Sequence, residues 1–268
     1  MEKVVLVTGA SSGIGKACAD YLSSKGYKVY GTSRKPEAVQ ASYPIIQLDV
    51  TRPESVKQAV KTVVDKEGRI DVLVNNAGFS MGGAVENFTE EEMHHDIETF
   101  FFGMVRMMKE VLPHMRGKNI GTIINISSIA GLMGIPFQGF YSASKFAIQG
   151  ICESLRIELR PYNVHVVILN PSDMLSGVSA HRIVAKSALT PNPYFEQFRV
   201  SLEKINQDER KGSNPIMVAK AVEKVIKSKR PSFHYLVGRF DQKLAVYIKH
   251  IVPERFFSWI IADHYKVK

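Results

Sequence analysis

Short apolar runs alternate along this chain with longer stretches in which apolar residues return every three to four positions. The runs at 3–7, 28–31, 44–48, 71–74, 122–126 and 165–169 have the length and the Val/Ile/Leu content of strands buried on both faces. Between them the periodicity predicts helices near 14–25, 53–67, 89–115 and 141–161. Alternation of this kind predicts an α/β chain. We expect a single doubly wound, Rossmann-type domain over 1–268, with a parallel sheet and helices on both faces. The rhythm breaks after Asn170. Residues 171–213 hold Pro171, Pro191 and Pro193, several serines and glycines and two short helical patterns, which predicts a substrate loop or lid. A helix near 215–229 and a strand near 233–237 follow. Residues 239–268 form a basic amphipathic helical segment, read as C-terminal lid helices.

Composition narrows this picture. Of 268 residues, 45% are hydrophobic and 23% charged, so a sizeable core is expected and wholesale disorder is not. The two cysteines, Cys18 and Cys152, fall in helical patterns and read as buried thiols of a reducing compartment, which predicts a cytoplasmic location. The opening MEKVVLVTGA does not read as a signal peptide, and no apolar run reaches the ~18 residues of a spanning helix. The net charge of +9 is concentrated late, with nine Lys or Arg against three acids over 227–268. No nucleic-acid-binding module accompanies that charge, so no nucleic-acid partner is expected. His94 and His95 are adjacent on a helix and point apart, so no metal is expected.

The first strand runs into Thr8-Gly9-Ala10-Ser11-Ser12-Gly13-Ile14-Gly15 and then a helix. Glycines there let backbone N–H groups approach a diphosphate at the positive end of the helix. The spacing is G-x-x-x-G-x-G rather than the common G-x-G-x-x-G. Dinucleotide sites that take NAD place a carboxylate at the end of the second strand. Here that place reads Thr32-Ser33-Arg34-Lys35. A hydroxyl and two cations suit a 2′-phosphate, which predicts NADP(H) in preference to NAD(H). Further on, Tyr141 and Lys145 lie four apart at a helix start and share a face. A nearby ammonium lowers a phenol's pKa, the tuning a general acid–base needs.

Taken in order, the glycine turn, Asn75-Asn76-Ala77-Gly78, Ser128 and Tyr141-x-x-x-Lys145 resemble the short-chain dehydrogenase/reductase family, over about 3–176. The resemblance implies an oxidoreductase in which Ser128 orients the substrate oxygen, Tyr141 passes the proton and Lys145 holds the nicotinamide ribose. It implies cofactor contacts from Gly9, Ser11, Ser12, Gly13, Ile14, Gly15, Ser33, Arg34, Asp49, Val50, Asn75, Ala77, Gly78, Tyr141, Lys145, Pro171 and Ser176. It also implies a homodimer or homotetramer. Two positions depart from the family pattern. Ser172 replaces the glycine of N-P-G, and Phe100 stands where an asparagine, three residues before Gly103, helps hold a water that relays protons to the lysine.

The stretch 82–89, the helix ending Val111-Leu112-Pro113-His114-Met115 and the tail 235–257 resemble the branch of retinol, 17β-hydroxysteroid and 3-ketosphinganine enzymes. That implies a bulky apolar ketone or its secondary alcohol as substrate, walled by Phe79, Met81, Met133, Ile135, Phe137 and Phe140. The basic aromatic tail reads first as a lid, and second as a peripheral contact with an anionic membrane surface. A different class, a nucleotide-binding sensor or scaffold that keeps the fold but little catalysis, rests on Phe100.

Overall fold

The computed structural model describes residues 2–177 and 182–268. Seven parallel strands form one sheet in the order β3 (Ile45–Gln47), β2 (Lys28–Ser33), β1 (Val4–Val7), β4 (Val72–Asn75), β6 (Gly121–Ile126), β7 (Val164–Pro171), β9 (His234–Val237). Helices α1 (Gly13–Ser24) and α7 (Ile216–Lys227) cover one face. Helices α2 (Pro53–Glu67), α4 (Gly103–Lys118) and α5 (Gly139–Glu158) cover the other. This is the doubly wound domain that the alternating pattern predicts. Strand order reverses between β1 and β4, and the carboxyl ends of those strands open the crevice where such sheets bind ligands.

The strands read as unbroken apolar runs because each side is packed. Val4 and Leu6 face the α2–α4–α5 layer, while Val5 and Val7 face α1 and α7. Ordering a residue's backbone costs roughly 1–2 kcal/mol. A fully buried aliphatic side chain returns about 1.5–3 kcal/mol. Four-residue strands therefore persist only because helices cover both faces. The two thiols divide between the layers, Cys18 with α1 and Cys152 with α5. Burial pushes both up to about 12.

Two segments differ from the pattern-based expectation. The helix expected over 89–115 is α3 (Glu90–Ile97), a π turn (Glu98–Phe102) and then α4. Its start is set by a capping box, in which Glu92 N–H donates to Thr89 and Thr89 N–H donates to Glu92. A π turn spends more than four residues per turn. Positions four apart, Asp96, Phe100 and Met104, therefore stay on the inward side and are all buried. Within 171–213 the two short helical patterns are a 3₁₀ turn (Lys186–Leu189) and a longer, 16-residue helix, α6 (Phe195–Arg210). Its inward face is Phe198, Ser201, Ile205, Asp208 and Glu209, so polar residues interrupt the apolar period. The same segment carries β8 (Ile183–Val184), which pairs with β5 (Met81–Gly82) beside the main sheet. The tail forms two helices, α8 (Phe240–Lys249) and α9 (Glu254–His264), with Pro253 at the second N-cap. Val246, Phe257 and Tyr265 pack there on Ile129, Met133 and Ile135, so the tail covers the loop that follows β6.

Candidate active site

The turn after β1 is built on backbone that other residues cannot reproduce. Gly9 has φ +68° and Gly13 φ +55°. A Cβ on Gly15 would stand 2.2 Å from the Gly9 carbonyl oxygen, so α1 begins in direct contact with the turn. Ser11 and Ser12 are exposed on it. Ser12 makes no side-chain cap and the first turn holds no acid, so the helix start keeps its positive end toward the crevice. Thr8 Oγ1 accepts from the N–H groups of Asn76 and Ala77 at 2.8 and 2.9 Å. Asn76 Nδ2 donates in return to the Thr8 and Gly9 carbonyls at 3.0 and 3.3 Å. Ala77 lies 2.9 Å from where a Gly9 Cβ would be, and Gly78 leaves room for the Phe100 ring.

Asn75 ends β4. Its side chain is buried and turned away from the crevice, with Nδ2 donating to Met104 O at 2.9 Å and Asn125 Oδ1 at 3.1 Å. Successive side chains at the end of β4 point to opposite sides, so it is the Asn76 side chain that meets the glycine turn. At the end of β2, Ser33 accepts from Lys35 N–H, while Arg34 and Lys35 are exposed. Asp49 receives the Thr51 N–H and hydroxyl at 3.0 and 2.7 Å. Burial alone would push its carboxyl up, but these bonds, with Arg34 and Arg52 nearby, bring it below the usual range. Val50 packs on Gly103 of α4. Ser176, past the end of β7 at Pro171, folds back so that its carbonyl lies 3.3 Å from a Cβ placed on Gly13. A closely packed glycine turn and an uncapped helix start fit the diphosphate of a dinucleotide.

Ser128 leaves β6 in an extended conformation, and its hydroxyl accepts from Ala130 N–H. Tyr141 and Lys145 share the inward side of α5's first turns. Burial pushes the Tyr141 phenol up to about 12, and its hydrogen bond with Ser128 pulls the other way. The charges that act on the phenol are those of Asp96 and Glu209, which raise it, and Arg182, which lowers it, in place of the lowering expected from Lys145. Lys145 is itself buried. Its Nζ donates to Ile126 O at 3.0 Å and lies 4.8 Å from the Phe100 ring and 5.6 Å from the Tyr141 ring. Burial brings this ammonium down to about 8, and the Asp96 charge raises it. Phe100 packs edge-on against Tyr141 at 5.2 Å, so an aromatic ring fills the asparagine's place. Asp96 is fully buried, accepts from Ser144, the residue before Lys145, and has a second oxygen without a partner.

One cavity of about 120 Å³ joins these parts, lined by Ile14 and Ser176 from the cofactor side and by Ser128 and Tyr141 from the reactive side. A wider depression of about 520 Å³ along α6 and Lys266 contains none of them. Residues 3–185 match the family model described as short chain dehydrogenase. The chain belongs to the short-chain dehydrogenase family. As a short-chain dehydrogenase it is an oxidoreductase of the CH–OH/C=O type, with a fold that binds NAD(P)(H). It is 42% identical over 266 residues to a 3-ketodihydrosphingosine reductase of Bacteroides thetaiotaomicron, covering 99% of both chains. It is 35% identical to retinol dehydrogenase 8 of Homo sapiens, over 85% of this chain and 79% of that one. A short-chain dehydrogenase from Streptomyces avermitilis superposes with TM-score 0.83 at 30% identity, over 93% of this chain and 92% of that one.

Ser172 puts the departure from N-P-G to structural use. Its hydroxyl accepts from Arg239 N–H at 2.9 Å and packs on Gly238, tying the start of α8 to the site. Reading the sequence missed Asn76, Asp96, Arg182 and Glu209. A carboxylate on the apolar stripe of Phe100 and Met104 marks Asp96 in retrospect, and Glu209 falls on the inward stripe of α6 in the same way. Among the described residues no group of three His, Cys, Asp or Glu is placed to hold a metal, and no helix is long and apolar enough to cross a membrane.

Proposed function

We propose that this short-chain dehydrogenase reduces a ketone on an apolar, lipid-like molecule, using NADPH in preference to NADH. One observation carries the reading: the hydroxyls of Ser128 and Tyr141 share a small cavity with residues of the glycine turn and of the loop after β7. The bound cofactor supplies the hydride. Ser128 holds the carbonyl oxygen, Tyr141 delivers the proton to it, and Lys145 holds the ribose beside the phenol. A phenol near 12 keeps its proton at neutral pH and gives it up readily only to a stronger base. An oxygen gaining negative charge is such a base, which supports the direction of reduction. Arg34 and Lys35 support the 2′-phosphate. The apolar wall, with Phe79 and Ile135 on the cavity, and the name of the Bacteroides relative support a long-chain keto lipid.

Access from a membrane surface follows from the tail. Phe240, Ile251 and Trp259 are 75%, 80% and 63% exposed, alongside Lys243 and Arg255. Such a face rests on an anionic bilayer. Co-sedimentation with anionic but not neutral vesicles tests this, and equal recovery with both removes it. Exposed Phe102 of the π turn and Phe146 of α5 support pairing of two copies through α4 and α5, which light scattering tests.

The decisive assay mixes the purified protein with NADPH and a panel of ketones that spans steroids, retinoids and long-chain keto bases. Oxidation of NADPH on the keto bases is the expected result. Tight NADPH binding with no oxidation on any ketone would instead support the sensor reading, which the Phe100 ring favours.

A further inference from the structure

The cavity that holds the Ser128 and Tyr141 hydroxyls has a second polar end. Glu209 lines it from the last turn of α6. One carboxylate oxygen, Oε1, receives the Arg182 guanidinium at 2.5 Å. The other, Oε2, is buried and has no partner, although the residue is only 8% exposed. Arg182 is buried as well, and donates from its other terminal nitrogen to Ser80 Oγ at 2.8 Å. The guanidinium therefore fixes where Glu209 points. A buried carboxylate oxygen with no donor is rare in folded proteins, because the lost hydration is not replaced. A ligand that brings a donor corrects that.

Charge identifies the donor. The cavity wall carries two carboxyls, Glu209 and Asp173, and no Lys, Arg or His. Burial raises the Asp173 carboxyl, the Gln242 hydrogen bond and Arg239 oppose that, and the Glu209 and Asp208 charges add to the rise. Glu209 and Tyr141 line the same cavity of about 120 Å³, and the Glu209 and Arg182 charges both act on the Tyr141 phenol, so a donor that meets Glu209 stands close to the reacting carbonyl. Apolar side chains, among them Phe79, Ile129 and Met174, form much of the remaining wall.

Resting on the reductase reading, we propose that Glu209, braced by Arg182, is the head-group subsite of this enzyme, and that it receives an ammonium borne on the carbon next to the reacting carbonyl. The substrate class is thereby a long-chain 2-amino ketone. Steroid and retinoid carbonyls bring no such cation. Glu209 is a specificity residue, and Arg182 is a positioning residue that acts through it.

The test uses three ketones of equal chain length: the 2-amino ketone, its N-acetyl derivative and the ketone without nitrogen. With the wild-type enzyme and NADPH, kcat/KM for the free amine should exceed that for either analogue by at least about tenfold, since a site built around a donor rejects the analogue that lacks it. Glu209→Gln, checked by circular dichroism for folding, should bring the three values within about threefold. Calorimetry gives a readout apart from turnover. The Tyr141→Phe variant with NADP should bind the long-chain 2-amino alcohol and not its N-acetyl derivative. A wild-type enzyme that reduces the nitrogen-free ketone as well as the amine overturns the subsite and leaves the reductase standing. NADPH binding without reduction of any of the three overturns both. The wild-type comparison decides the matter even where Glu209→Gln does not fold.

Discussion

The two ends of the reaction chamber are held by different means. At the cofactor end, the glycine turn is fixed by main-chain groups and two short side chains at the tips of adjacent strands. Thr8 and Asn76 clasp each other across the β1–β4 gap, and Gly15 packs on the Gly9 carbonyl. At the substrate end, long side chains join segments far apart in the chain. Arg182 reaches Ser80, 102 residues away, and Glu209 on α6. Gln242 of α8 accepts from the Asp173 N–H, and Ser201 donates to the Tyr265 carbonyl. The first end tolerates little change, because backbone geometry has few alternatives. The second is assembled from replaceable side chains, so selectivity is free to vary while the hydride chemistry stays where it is.

The largest effect should come where the two ends meet. Tyr141→Phe is expected to lower kcat by about 10³–10⁴-fold while NADPH affinity changes by less than about threefold. A variant with more than a tenth of wild-type turnover would remove Tyr141 from the chemistry. Next comes the buried pair of the substrate end. Arg182→Met alone should cost about 3–5 kcal/mol in urea unfolding, because it strands the Glu209 charge. Replacing both partners with methionine should recover much of that loss. Additive losses instead would mean that this end is not organised around the pair.

On the cofactor side, Gly15→Ala drives a methyl group to 2.2 Å from a carbonyl oxygen and should weaken NADPH binding by more than about tenfold. Unchanged affinity in a fluorescence titration would show the turn to be pliable, and the contrast between the ends would fail. Arg34→Ala should reduce the preference for NADP over NAD by roughly tenfold, the loss of one charge-assisted phosphate contact. The smallest effect is a shift in pH profile. Lys145 titrates near 8, so kcat/KM for reduction should hold below that pH and decline above it as the ammonium loses its proton. The Asp96 charge raises that value, so Asp96→Asn should move the decline to lower pH. A decline that stays in place would separate Asp96 from Lys145.

Contiguity explains how much of this was legible beforehand. The glycine turn, Ser128 and the Tyr141–Lys145 pair lie in short windows whose spacing carries the geometry, and the strands that present them are plain apolar runs. Which of Asn75 and Asn76 turns its side chain to the glycine turn is not legible, because a one-residue shift on a strand reverses the side chain's direction and two adjacent asparagines give no clue to the phase. The π turn was hidden in Phe100-Phe101-Phe102, where three aromatic residues in a row erase the period. Arg182 and Glu209 meet only because the segment after β7 doubles back over the site, and no local pattern encodes a pairing at that separation.

The two cysteines give this architecture a clock. One thiol sits in each layer, on opposite faces of the central sheet, and both are too weakly acidic in the folded state to react with alkylating reagents. Each becomes labelled only when its own side of the molecule opens. The relative labelling rates of Cys18 and Cys152 in native buffer therefore report whether the helices on the two faces detach together or in turn.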